Sequence, residues 1–318
     1  MSMDYKSSRS FAMTLSHRAV EDIRRDGFRQ LRNYVDMCAM LANQPKQKGF
    51  FAYAQKTLQK TDSLYYSLIH SLVDTVQENR ICTVGVNLGF GGLIHGGSRM
   101  KAEAEKTGQP CSWLNVGLCG DPALPAAVQA AEEKGSFVWV LSCGPAGPAP
   151  AAALAASYPH SAFLLLAPPE QFDSRTLTAL EPCNNVVLLL LLQRPELDHD
   201  ACETARQLRA KKMFYGFCAL VDDTTANEAI DPEWIDAASQ YGLFCLYARR
   251  AGMSAPTSEL LRQSVAESRV ELGAPMLLLD WEGDVDRINK ALSPHAVLGV
   301  CLPENSDFPL QTTLTANG

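Results

Sequence analysis

The ten cysteines of this 318-residue chain are enough in number to suggest zinc or an iron–sulfur cluster. Such a site usually takes two or three ligands from one short loop, because a tight turn aims them at one point. No two cysteines form a C-x-x-C or C-x-x-x-C pair, and the closest two are Cys111 and Cys119. Most of them lie in apolar runs, as Cys218 and Cys245 do, which favours small buried side chains. The spacing therefore predicts no local metal loop.

A second set of chemically capable residues stands at the ends of short apolar runs. The candidate ligand-binding residues at these positions are Cys119, Asp121, Ser142, Cys143, Gly144, Glu170, Asp222, Asp280 and Glu282. Asp280 with Glu282, or Asp222 with Asp223, would suit an acid–base pair or a magnesium ion. Carboxylates solvated on loops are the more frequent occurrence. No histidine joins a serine or cysteine in a recognisable nucleophile motif, so the catalytic residues stay unassigned.

Glycines recur between Gly89 and Gly97, around His95. The pattern matches neither G-x-G-x-x-G nor the P-loop, and no clear strand precedes it. A break in a helix, or a close contact between helices, is therefore favoured over a phosphate site, and His95 is a weak functional candidate. The sequence leaves open whether this segment is a hinge or a site.

The elements that must position these residues alternate regularly from residue 112 onward. Eight apolar runs of strand length are separated by amphipathic or alanine-rich stretches. The runs are Trp113–Leu118, Phe137–Leu141, Ala162–Ala167, Val186–Leu192, Met213–Val221, Leu243–Tyr247, Met276–Leu279 and Ala296–Cys301. Continuous apolar strands separated by helices indicate a parallel sheet covered by those helices. We predict an α/β fold, a full or partial (β/α) barrel of about six parallel strands in preference to an open doubly wound sheet, with functional side chains at the carboxyl ends of the strands.

The chain ahead of this barrel predicts helices. Apolar residues between Ile23 and Leu41 recur at helical spacing, and further helices are expected near Phe50–Gln59 and Tyr65–Val76. Residues 81–90 are ambiguous between strand and helix. The predicted organisation is a helical region at 1–110, a partial barrel at 111–302 and a C-terminal tail at 303–318.

Composition and charge exclude several classes of function. Hydrophobic residues make up 47% of the chain and charged residues 20%, which is a globular composition. The formal net charge of −7 gives no electrostatic attraction to nucleic acid or anionic lipid. The sequence has no signal-peptide pattern and no run of the roughly 20 apolar residues that cross a bilayer. We therefore expect a cytoplasmic protein that binds neither nucleic acid nor membrane.

Two stretches resemble the radical S-adenosylmethionine (radical SAM) family in the order of their elements. Residues 208–252, from LRAKKMFYGFCALVDD to LFCLYARRAG, are similar to the later half of that domain. Residues 63–118 resemble the lead-in to the first barrel strand, in a subgroup that carries an N-terminal helical region. The resemblance spans most of the chain and implies a partial barrel of the radical SAM type.

The residues on which the family's chemistry depends are not matched. The family has C-x-x-x-C-x-x-C after its first strand, whose three thiolates hold a [4Fe–4S] cluster, and here Cys119 is followed by GDPALP. After its second strand the family has Gly-Gly-Glu-Pro, which helps to hold S-adenosylmethionine, and here the segment is SCGP, with Cys143 second. The resemblance therefore implies loss of the cluster. We expect no cofactor, while S-adenosylmethionine binding stays open. Cys119 and Cys143 would stand on adjacent strand ends, either binding a ligand or lacking a role.

The leading expectation is a non-catalytic pseudoenzyme that keeps the partial barrel without the cluster loop. It would serve as a partner or scaffold subunit, for an active radical SAM relative or another protein, or bind a small molecule or peptide. The alternatives are a cluster-independent enzyme, a module that binds S-adenosylmethionine or a nucleotide at the barrel mouth, and a radical SAM enzyme with non-standard cluster ligands. The first alternative would use rim carboxylates, and a convergent, buried pair with a perturbed pKa would favour it. Those carboxylates are Asp121, Asp222, Asp223, Asp280 and Glu282.

Overall fold

A computed structural model describes residues 5–25, 27–41, 45–59, 63–109, 111–271, 275–292 and 296–300. The tail predicted at 303–318 lies outside the described residues. The described chain ahead of the first strand is helical, and its segments are α1 (Tyr5–Arg25), α2 (Gly27–Leu41), α3 (Pro45–Gln59), α4 (Leu64–Thr75), α5 (Glu78–Gly85), a π-helix (Val86–Gly96) and α6 (Gly97–Thr107). The ambiguous residues 81–90 are therefore helical. Within the described ranges, no helix combines the length and the apolarity needed to cross a membrane.

Eight parallel strands form one sheet in the order β7-β6-β5-β4-β3-β2-β1-β8. They are β1 (Cys111–Leu118), β2 (Val138–Ser142), β3 (Ala162–Ala167), β4 (Val186–Leu192), β5 (Tyr215–Val221), β6 (Phe244–Arg249), β7 (Leu277–Asp280) and β8 (Ala296–Val300). Each predicted apolar run contributes one strand, so the sheet has eight strands where about six were expected. Because β8 pairs with β1 and not with β7 among the described residues, the sheet forms a partial barrel with one open seam. The predicted fold class is confirmed.

Helices follow the strands along the chain. They are α7 (Leu124–Lys134), α8 (Ala151–Ser157), α9 (Ser174–Leu180), α10 (His199–Ala210), α11 (Ala226–Ala229), α12 (Pro232–Ser239), α13 (Ala255–Glu271) and α14 (Trp281–Leu292). Helices α7 to α13 cover the outer face of the sheet. In β4, Leu188 and Leu190 face these helices while Leu189 faces the opposite side, which follows from the two-residue repeat of a strand. Both faces are apolar because both are buried.

Helix α14 packs on the opposite, concave face of the sheet. Trp281 and Ile288 share a core with inward-facing strand residues such as Leu189. The helix contacts both β6 and β8, which are far apart in strand order, and Trp113 Nε1 donates a hydrogen bond to Asn289 Oδ1 at 2.5 Å. One helix reaches both strands only because the sheet curves. The concave side is therefore occupied by the chain's own apolar side chains.

The N-terminal helices cover the amino ends of the strands. Val84 packs in the concave core beside Cys111, the first residue of β1. Arg80 is 1% exposed and donates hydrogen bonds to the carbonyl oxygens of Cys183 at 2.8 Å and Glu181 at 2.6 Å. A buried guanidinium needs such acceptors, since leaving its donors unpaired is costly. Arg80 thus joins the helical region to the loop before β4.

The glycine cluster forms the π-helix, which runs without a break from α5 into α6. The expected close contact is present, and it is made with the turn that follows α7. A Cβ at Gly96 would overlap the carbonyl oxygen of Gly135, and one at Gly92 would lie 3.2 Å from Val138 Cγ2. Gly135 itself has a φ of +97°, a conformation that favours glycine. These glycines therefore permit a close approach of two backbones.

Candidate functional site

The structure divides the nine candidate residues between several strand ends. Cys119, Asp121, Ser142, Cys143 and Gly144 lie at the ends of β1 and β2, Glu170 and Asp222 follow β3 and β5, and Asp280 and Glu282 stand where β7 meets α14. In the sheet, β3 to β6 lie between β2 and β7. Four strands therefore separate Cys119 and Cys143 from Asp280 and Glu282 along the sheet.

Cys119 and Cys143 lie side by side beyond the paired ends of β1 and β2. The register pairs Leu118 with Ser142, so Cys119 and Cys143 form the next pair along the same ladder. The ladder continues through them, since Cys119 N donates to Ser142 O at 2.8 Å and Cys143 N donates to Leu166 O at 2.8 Å. Both side chains belong to the outer core and are 8% and 5% exposed. They therefore face the helix layer and not the concave side.

The two thiols differ in their electrostatic surroundings. The neighbouring Cys143 thiol lowers the pKa of Cys119, against burial, and the N–H of Ala151 lowers it further. The interaction with Cys119, together with burial, raises the pKa of Cys143. A cavity of about 270 Å³ opens beside Cys119 and is also lined by Asp121 and Tyr158. Cys119 is therefore the thiol with both the greater thiolate character and an accessible face.

Asp280 and Glu282 converge on Arg249, the last residue of β6. Arg249 Nη2 donates to both Asp280 carboxyl oxygens, at 2.9 and 2.7 Å, and Arg249 Nε lies 3.7 Å from Glu282 Oε2. The backbone N–H of Arg249 also donates to Glu282 Oε1 at 3.4 Å. Asp280 is 1% exposed and Glu282 is 7% exposed. One cation is thus shared by two buried carboxyl groups.

Burial sets the protonation of this pair. It raises the pKa of Asp280, and it raises the pKa of Glu282 to about 7, while Arg249 acts in the opposite direction on both groups. One guanidinium balances one negative charge, so the second carboxyl favours its neutral form. Among the described residues, Glu282 Oε2 has no hydrogen-bond partner. A convergent, buried pair with raised pKa values is the arrangement that the sequence analysis named as favouring acid–base chemistry.

The remaining candidate carboxylates organise their own loops. Asp222 Oδ1 accepts hydrogen bonds from the N–H of Thr224 at 2.9 Å and from its hydroxyl at 2.6 Å. Asp121 Oδ1 accepts from a backbone N–H two residues on, at 2.8 Å, as in an Asx turn. Asp223 bonds to the loop before α13, and Glu170 is exposed. Asp121 and Asp222 therefore stabilise local turns, and Asp223 joins two loops.

Arg249 is the residue that the candidate set omits. The signal for it exists, because Arg249 follows one apolar run by two residues and Asp280 directly follows the next run along the chain. Consecutive parallel strands place those two ends next to each other, and the β6–β7 register pairs Tyr247 with Asp280. Opposite charges at the ends of neighbouring runs therefore indicate an ion pair.

His95 of the glycine-rich segment and His160 of the loop before β3 take part in packing. The ring centroid of His95 lies 4.3 Å from that of Tyr5, and burial lowers the pKa of His95. His160 approaches the edge of the same tyrosine, with centroids 5.8 Å apart. Tyr5 belongs to α1, so both histidines help to seat that helix against the amino ends of the strands.

The described thiols at the carboxyl edge do not by themselves supply the ligands of a [4Fe–4S] cluster. Such a cluster needs cysteine thiolates aimed at one point, three of them from the family's loop. The ends of β1 and β2 offer Cys119 and Cys143, both of which face the outer core under α8. Across the described part of the chain, no group of three or more His, Cys, Asp or Glu side chains is placed to hold a metal ion.

Comparisons with known proteins give distant likenesses. No protein-family model matches the sequence, and no curated protein matches it. SuiB of Streptococcus suis, in its structure bound to the precursor peptide SuiA, is 10% identical with a TM-score of 0.45, covering 57% of this chain and 52% of SuiB. SuiB bound to S-adenosylmethionine is 11% identical with a TM-score of 0.43, covering 57% of this chain and 54% of SuiB.

A second likeness is to a mutant tryptophan synthase α-subunit of Pyrococcus furiosus. It is 14% identical with a TM-score of 0.41, covering 61% of this chain and 88% of that subunit. This chain spans about half the length of SuiB. At these scores the likenesses carry no ligand or activity to this chain. The assignment of a partial barrel rests on the strand order and pairing.

Proposed function

We propose that this chain is a non-catalytic member of the radical SAM-like partial barrels, which binds a small molecule, a peptide or a protein partner at the carboxyl edge of its sheet. One observation carries the proposal. The end of β1, where the resemblance calls for three thiolates, offers Cys119, whose side chain packs under α8. A cubane cluster is not anchored by one thiolate.

The filling of the concave side supports the same proposal. Radical chemistry in a barrel needs room for its cofactor and substrate at the mouth. Here Trp281 and Ile288 of α14 pack against the inward-facing residues of the strands. A cavity of about 270 Å³ lies beside two of the candidate residues, Cys119 and Asp121, on the helix-covered side of the sheet. We propose this cavity as the ligand site.

Iron analysis tests the loss of the cluster. The full chain is purified without oxygen and treated with ferrous iron and sulfide, beside a Cys119→Ser variant. We expect the same sub-stoichiometric iron and acid-labile sulfide in both proteins, because the described residues bring no set of three thiolates together to receive the metal. Close to four irons per chain in the unmodified protein, with loss in the variant, would refute the proposal.

Calorimetry tests the binding role. S-adenosylmethionine and S-adenosylhomocysteine are the probes, because the family resemblance implies that ligand class. Binding of either one, weakened in an Asp121→Asn variant, would assign the cavity to this ligand. Absence of heat with both removes S-adenosylmethionine from the proposal, and capture of a defined peptide or protein partner then becomes the required demonstration.

The buried carboxyl pair favours a second function, an enzyme that works by acid–base catalysis without a cluster. A carboxyl whose pKa is about 7 can donate and accept a proton at neutral pH, which is what Glu282 offers. Arg249 would hold Asp280 ionised beside it. Carbon-13 NMR of labelled glutamate tests this function. A carboxyl that titrates near neutral pH in the folded protein, and is lost in Glu282→Gln, supports it, while no such signal opposes it.

A further inference from the structure

The geometry at the ends of β1 and β2 suits a covalent bond between two thiols. Neighbouring strands lie about 4.8 Å apart, and disulfides span Cα–Cα distances of about 4.4–6.8 Å. Cys119 and Cys143 occupy facing positions on the continued ladder, and both side chains point to the outer core. The strand spacing therefore falls within the Cα–Cα range that a disulfide spans, and the two side chains lie on the same face of the sheet.

We propose that Cys119 and Cys143 form a reversible disulfide, with Cys119 as the attacking thiol and Cys143 as the resolving thiol, in exchange with a low-molecular-weight disulfide. The assignment of roles follows from access. Cys119 lines the cavity of about 270 Å³, whereas Cys143 is absent from its lining. The incoming disulfide therefore meets Cys119 first.

The exchange proceeds in two balanced steps. The Cys119 sulfur, having lost its proton, attacks one sulfur of the small disulfide, which forms a mixed disulfide and releases one small thiolate. The Cys143 sulfur then attacks Cys119, which closes the protein disulfide and releases the second small thiolate. The two protons lost by the cysteines protonate the two released thiolates. The protein pair is oxidised by two electrons, and the small disulfide is reduced by two.

The chain contains a matched pair that should not react. Cys218 and Cys245 also lie on adjacent strands, where the register pairs Cys218 with Leu246 and Phe217 with Cys245. Their side chains face opposite sides of the sheet, since Cys218 belongs to the concave core and Cys245 to the outer core. Both are fully buried. Proximity in the sheet is therefore similar, while direction forbids a bond.

The test is oxidation of the full chain with glutathione disulfide, followed by alkylation, trypsin digestion and mass spectrometry. Cys119 and Cys143 fall in different tryptic peptides, 107–134 and 135–175. We expect these peptides to be joined after oxidation and separated after reduction. Because Cys111 shares the first peptide, Cys119→Ser identifies the linked residue and must abolish the joined product.

Two variants separate the roles of the thiols. Cys143→Ser should retain a glutathione adduct on Cys119, since the resolving thiol is missing, whereas Cys119→Ser should leave Cys143 unmodified. Folding of each variant is checked by circular dichroism, and Cys218→Ala serves as a control that still forms the cross-link. An unlinked pair of peptides in the unmodified protein at full glutathione disulfide, or a cross-link of Cys218 with Cys245, would overturn the proposal.

Discussion

Replacing Glu282 with glutamine removes the carboxyl whose ionisation the folded protein most disfavours. Burial raises the pKa of Glu282 from its ordinary value of 4.5 to about 7. At about 1.4 kcal/mol for each pH unit, this rise corresponds to about 3 kcal/mol between the protonated and ionised forms. Below pH 4.5 the group is protonated in both the folded and unfolded states. As the pH rises towards 7, the unfolded state releases its proton first, so the folded state loses relative stability.

We therefore expect the unmodified protein to lose about 3 kcal/mol of unfolding free energy relative to Glu282→Gln as the pH rises from about 4.5 through 7, with a plateau from about pH 8 upward. Urea unfolding of both proteins across this range measures the difference. The control is Glu228→Gln, which alters a carboxylate that pairs with Arg194 at 2.8 Å on the surface. That variant should change stability by less than about 1 kcal/mol. A constant difference between the unmodified protein and Glu282→Gln would refute the reasoning.

Three further substitutions test the contacts around the sheet. Arg249→Met leaves two buried carboxyls without their cation, so it should destabilise the fold by about 3–5 kcal/mol above pH 7 and by less below pH 5, as measured by urea unfolding. Gly96→Ala places a methyl group against the backbone of Gly135 and should lower the Tm. Gly89→Ala places its methyl group in open space and should raise or preserve the Tm. A lower Tm for Gly89→Ala than for Gly96→Ala would contradict the packing. Arg80→Met keeps the buried stem but leaves two carbonyl oxygens without donors. The variant should lose about 1–3 kcal/mol of unfolding free energy, as measured by chemical denaturation. An unchanged midpoint would show that water replaces the guanidinium.

The sheet follows from the sequence because its strands are buried on both faces. A strand such as Val186–Leu192 is apolar at every position, which is typical of a parallel sheet with a layer on each side. Helices between the runs cover one of those faces, and the pattern predicts that arrangement directly.

The sequence does not show in the same way which helix covers the second, concave face of the sheet. Helix α14 is amphipathic, as are the outer helices, so its pattern does not say on which face of the sheet it packs. What places it inside is contact with strands at both ends of the sheet, including the hydrogen bond between Trp113 and Asn289, residues far apart in sequence. The convergence of Arg249 with Glu282 depends on the same placement, because Glu282 lies in the first turn of α14. Long-range packing therefore decides which rim carboxylates are buried.

This packing changes where ligand chemistry can reside on the partial barrel. Helix α14 occupies the concave side of the sheet. The reactive groups at the carboxyl edge therefore lie elsewhere, with Cys119 under α8 and Glu282 at the start of α14. These two places respond to different conditions. The adjacent thiols respond to oxidation, whereas the Glu282 carboxyl, with a pKa of about 7, responds to pH. A ligand that binds beside Cys119 should therefore be sensitive to oxidation of the thiols and insensitive to Glu282→Gln. Calorimetry with the same ligand measures its affinity for the variants Cys143→Ser and Glu282→Gln. A loss of affinity in Glu282→Gln would show that the thiols and the Glu282 carboxyl belong to one site.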